Sequence, residues 1–126
     1  MRRDGRRPTG VPSKMQTHTV TIEVPVPTVS IRTLWAVLIA LTIGDALTTI
    51  VALSVGLPEA NPLIHAAIET VGFGGVLLSQ VLYIALAWAL LQIVDYGHKW
   101  VLVAGIVPSA LVVVNNAAAI AILGVV

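Results

Sequence analysis

Three long apolar runs fill the chain from Leu34 onwards, each near or above the ~20 residues a helix needs to cross roughly 30 Å of hydrocarbon, and they restrict what this sequence can become. A soluble domain usually carries about a quarter charged residues, whereas here 57% of the residues are hydrophobic and 10% charged. The sequence therefore predicts an all-α membrane protein. Its three transmembrane helices fall at about residues 34–57, 73–94 and 100–126, with a short interfacial helix between the first and second. Residues 32–126 make one transmembrane helical domain embedded in the lipid bilayer. Residues 1–31 are expected to be a disordered basic tail and extended linker, with too little apolar surface in the first 16 to offset the entropy of folding.

Charge distribution sets the expected topology. Arg2, Arg3, Arg6, Arg7, Lys14 and Arg32 all precede the first apolar run, which places the N-terminus in the cytoplasm by the excess of basic residues found on that side. The protein is then a multi-pass protein of the cell membrane, with the Glu59 loop and the C-terminus outside and the Asp95–Lys99 turn inside. Trp35 and Trp100 fall at the inner ends of their spans, where interfacial aromatics belong. The same arginines fit attraction to anionic lipid better than nucleic acid, which is not expected as a partner. Cysteine is absent, so disulfides, thiolate nucleophiles and cysteine-based metal sites are excluded.

Residues 17–24 alternate polar and apolar in strand fashion, but Pro25 and Pro27 end the run and nothing pairs with it, so an extended linker is expected. The first span holds twelve Leu, Ile or Val residues. At roughly −0.3 to −0.6 kcal/mol each, these outweigh the roughly +2.5 to +3.5 kcal/mol of one central acid. After it, Pro58 and Pro62 interrupt the apolar run, and Asn61 before Pro62 reads as an N-cap and first position of the short helix. In the third span Pro108 is expected to kink the helix, and Gly105 with Ser109 forms a small-residue contact patch.

Asp45 is the one acid inside a span. It lies twelve residues before Leu57, roughly 18 Å along a helix and close to the bilayer centre. Thr48 and Thr49 follow one turn later, so that face of the helix must be covered by other helices. Counted from the same outer surface, Gln80, Tyr83, Asn115 and Asn116 lie at comparable depth, about seven to eleven residues in. These residues form the candidate intramembrane polar site. No basic residue lies in the spans to balance Asp45. A proton, a cation or a partner subunit must do so instead.

Two readings of this site follow. In the first, the protein is non-enzymatic and assembles, with copies of itself or a membrane partner protein, through a polar layer centred on Asp45. In the second, it is a proton- or cation-coupled transporter or channel component in which Asp45 titrates or coordinates the ion; three helices can hardly enclose a water-filled path, so this reading also requires an oligomer. An intramembrane enzyme ranks third, because no nucleophile–base pair can be assembled. No cofactor is required by the sequence. Glu59, His65 and Glu69 form the available candidate set for a divalent metal. His65 and Glu69 at i and i+4 are more often a solvated helix pair, and Glu59 with Asn61 is expected to cap backbone amides.

Gly44-Asp45-x-x-Thr48-Thr49 followed by Gly56-x-x-Glu59-x-Asn61-Pro62 resembles the signature of a family of small uncharacterised prokaryotic membrane proteins, largely archaeal, classed as a domain of unknown function. The resemblance covers about residues 33–120 and includes an asparagine matching Asn115 or Asn116. Family members often carry a lysine in the second helix and this chain has none there, so no ion pair is carried over. The resemblance implies that Asp45, Thr49, Glu59, Asn61 and Pro62 belong to one unit, and it implies no activity.

Overall fold

The structure, a computed structural model, describes Gly10 and residues 19–23 and 25–123. The expected disorder of the basic tail and the last three residues of the expected third span lie outside these. Among the described residues the protein is all-helical, with no strand. Four helices follow in order: α1 (Ile31–Ser54), α2 (Pro62–Val71), α3 (Gly74–Ile93) and α4 (His98–Leu123). Three of them, α1, α3 and α4, are long and apolar enough to cross a membrane, with mean hydropathies of 2.1, 2.0 and 2.1. Helices apolar all round belong either in a large core or in lipid, and the described residues form no large core. Large apolar side chains such as Leu47, Leu82, Trp88, Leu111 and Val114 lie exposed.

Local chemistry fixes each boundary. α1 begins three residues before the apolar run because Ser30 caps it, its hydroxyl oxygen accepting from the Thr33 amide at 3.2 Å. It ends at Ser54, short of the expected Leu57, because Gly56 adopts φ +84° and the chain turns away through a left-handed residue. The turn that follows is built from side chains: Glu59 Oε1 accepts from the Asn61 amide at 2.7 Å, and Asn61 Oδ1 accepts from the Leu63 amide at 3.0 Å. Asn61 is thus the N-cap and Pro62 the first residue of α2.

The packed core is small and lies toward the Val94–Gly97 turn. Leu34, Leu38, Ala87 and Leu102 are buried together, with Trp35, Tyr83, Ile84, Leu91, Val103 and Ile106 around them. α1 and α4 approach closely along a buried stripe of Leu34, Leu38, Thr42, Ala46 and Thr49, spaced to lie on one helix face. Leu38 meets Gly105, Gly44 meets Val113, and Thr49 meets Asn116. These pairs occur in the same order on both helices, so α1 and α4 run parallel, with α3 antiparallel to them. Small residues permit the approach: a Cβ on Gly105 would already lie 3.4 Å from Leu38 Cδ1. At the other end, α2 packs on the start of α3, where Gly75 abuts the backbone of Ala67. The linker is tied back where α4 begins, Lys99 Nζ donating to the Pro27 carbonyl at 3.0 Å.

Candidate functional site

Asp45 lies nine residues before the end of α1 at Ser54, roughly 14 Å along the helix axis. Gln80 is six residues into α3 from Gly74, and Asn116 is seven from the end of α4 at Leu123. All three positions are therefore roughly 9–14 Å from the α2 end of the bundle. At that level one hydrogen-bonded chain joins the three long helices. Gln80 Nε2 donates to Asp45 Oδ2 at 2.7 Å, and Thr49 Oγ1 donates to Asp45 Oδ1 at 3.2 Å. Asn116 Nδ2 in turn donates to Thr49 Oγ1 at 3.1 Å and reaches Thr48 Oγ1 at 3.4 Å. Both carboxylate oxygens of Asp45 thus receive a neutral donor, and among the described residues neither faces a cation.

Tyr83 and Asn115 stand apart from this chain. The Tyr83 hydroxyl donates to the Gly105 carbonyl at 2.8 Å, inside the stretch of α4 that Pro108 loosens by removing one backbone donor. Asn115, adjacent to Asn116 and so turned ~100° around the helix, is exposed on α4 and makes no side-chain hydrogen bond among the described residues. Thr42, three residues before Asp45, bonds its own helix, donating to the Leu38 carbonyl at 2.7 Å. Removing the Tyr83 hydroxyl in Tyr83→Phe is expected to lower stability by about 0.6 and no more than about 1.7 kcal/mol, the range for one hydrogen bond between spans. Thermal unfolding in detergent checks it.

The polar chain forms the floor of a half-open cleft of about 870 Å³. α3 and α4 are held together near the core and diverge toward α2, so the space between them widens at that end. Asp45, Thr49, Gln80, Ser109, Asn115 and Asn116 contribute polar atoms, Glu59 and Asn61 line its mouth, and Leu53, Leu57, Leu63, Leu78, Leu82, Leu86 and Val112 form its walls. Leu63, Leu78, Leu82, Leu86 and Val112 are also exposed, so the cleft opens sideways between α3 and α4. Ser79 and Ser109 also line the cleft; the sequence did not mark either as a site residue, nor the cleft itself. Ser109 carried a signal as half of the small-residue pair with Gly105, and it is buried.

The acids and histidine around α2 do not converge. His65 Nε2 and Glu69 Oε1 are 3.3 Å apart with both side chains largely exposed, while Glu59 is engaged with the Asn61 amide. Among the described residues no three His, Asp or Glu side chains are grouped to hold a metal ion.

No curated protein and no solved structure matches this chain. A family model does match, over residues 36–122, which takes in most of α1, nearly all of α4, the whole of α2 and α3, and every residue of the hydrogen-bonded chain. The protein therefore belongs to the family described as a domain of unknown function, DUF5658.

Proposed function

We propose that this is a small non-enzymatic integral membrane protein that assembles with copies of itself and takes up a proton or a monovalent cation at Asp45. The observation that carries this reading is the setting of the carboxylate. It lies midway along a helix long and apolar enough to cross a membrane, on the floor of a cleft whose lining among the described residues holds no Lys, Arg or His, and the donors to it among those residues are neutral. A layer that only joined helices would need no space beside it, and intramembrane acids facing a cavity mark ion and proton paths. Assembly is supported by the cleft, which opens sideways between α3 and α4 and leaves a polar side chain, Asn115, exposed where lipid would not tolerate it.

In this reading the N-terminus is cytoplasmic. Arg32 and Lys99 lie at the end of the bundle where α1 and α4 begin, and Glu59 and Glu69 at the opposite end, which agrees with positive charge on the inner side. The Asp45–Thr49 and Glu59–Asn61 stretches act as one unit, a reading supported by their lining one cleft.

Reconstitution in vesicles tests the proposal by comparing proton and sodium flux for the wild type and Asp45→Asn. Flux in the wild type that falls to the level of protein-free vesicles in the variant is expected. No flux from either protein, with oligomer size altered by the substitution, would leave Asp45 a purely structural role.

A further inference from the structure

We infer that the cleft binds a lipophilic organic cation, its charged centre against Asp45 and its apolar body between α3 and α4; this rests on the reading of Asp45 as a cation site. Size is the first argument. The cleft measures about 870 Å³, inside the roughly 300–1,000 Å³ typical of small-molecule pockets. A proton needs no such room, and a single water occupies roughly 30 Å³. Uptake of a bare ion does not account for the space.

Polarity is the second argument. The lining is mostly aliphatic, with the hydrogen-bonded groups around Asp45 at the floor and Glu59 and Asn61 at the mouth. That is the arrangement an amphipathic molecule matches end to end, burying its apolar body while its head meets oxygen atoms. Asn115 adds an amide at the cleft that has no side-chain partner among the described residues.

Charge decides the sign of the head. Asp45 and Glu59 both line the cleft, and among the described residues no cationic side chain does. Arg32 lies thirteen residues before Asp45 on α1, roughly 20 Å away along the axis, and Lys99 is bonded to the Pro27 carbonyl. Acids between low-dielectric walls focus a negative potential into the cleft, which concentrates cations and repels anions.

Tetraphenylphosphonium and tetraphenylborate, ions of near-identical shape and opposite charge, supply the test. Binding of each to the full chain in lipid nanodiscs is measured against protein-free discs. Saturable phosphonium binding is expected, with no saturable borate binding. Affinity should fall roughly tenfold or more in Asp45→Asn, which removes the charge, and by a smaller factor in Val112→Trp, which takes up part of the apolar space and leaves Asp45 in place. Phosphonium binding that is unsaturable, matched by borate, or unaffected by Val112→Trp would overturn the inference, as expected if a lipid chain or a helix of a second copy fills the cleft. Loss of phosphonium binding alone, with Asp45-dependent proton or sodium flux intact, removes only the organic ligand. Loss of that flux as well removes the cation reading beneath it.

Discussion

Gly75→Ala is expected to destabilise the protein by roughly 1–3 kcal/mol, the usual cost of forcing a methyl group into a filled space, although alanine is the better helix former. A Cβ at this position would lie 2.6 Å from both the carbonyl carbon and oxygen of Ala67 and 2.9 Å from the Ile68 amide nitrogen. These are backbone atoms of α2, so no side chain can rotate away and the whole short helix must shift. Gly74 provides the internal control, because nothing lies within 4 Å of its Cβ position. Gly74→Ala should be neutral or gain up to about 1 kcal/mol from helix propensity. Thermal unfolding in detergent measures both, and hydrogen exchange over residues 62–71 shows whether the strain is released by α2 lifting from α3. Equal stability and equal exchange in the two variants would mean that α2 does not pack where it is placed here. Because Leu63, Ile64 and Ala67 also line the cleft, displacing α2 would widen its mouth along with weakening the fold.

The spans are legible in the sequence because lipid imposes one requirement on them: a backbone without water must satisfy itself, and a long apolar run can do so only as a helix. The short helix was legible from Asn61-Pro62 for a comparably simple reason, since one side chain supplies the cap and the next fixes φ. The start of α1 was not, because Arg32 and Thr33 interrupt the apolar run while the signal that counts is the Ser30 hydroxyl. At the site, counting residues from helix ends gives depth but not direction around the helix. Asn115 and Asn116 are indistinguishable by depth, and only packing against α1 turns Asn116 toward Thr49 and leaves Asn115 in the cleft. The cleft depends on how far α3 diverges from α4, a property of contacts distant in sequence. No single residue encodes it, although the close approach of Gly105 to Leu38 and Tyr83 at one end fixes where the divergence begins.

Gln80→Lys is expected to abolish cation uptake at Asp45 while leaving the protein folded, and this separates an ion-binding carboxylate from one that only holds helices together. Gln80 Nε2 lies 2.7 Å from Asp45 Oδ2, so a lysine here can place its ammonium at the carboxylate with little movement of α3. At 4 Å and an effective dielectric near 20, the attraction between the two charges is about 4 kcal/mol. Part of this is offset by removing the ammonium from water on a half-buried face. Even a remainder of about 2 kcal/mol lowers the affinity for a competing cation roughly thirtyfold. Gln80→Leu is the complementary change: it removes one neutral donor and leaves the carboxylate free of any positive charge. Proton or sodium flux should therefore disappear in Gln80→Lys and persist in Gln80→Leu, with the lysine variant at least as stable to heat as the leucine variant. A structural carboxylate predicts no such split, because flux would then be independent of either change. Wild-type flux in Gln80→Lys would show that the ion does not pass through Asp45.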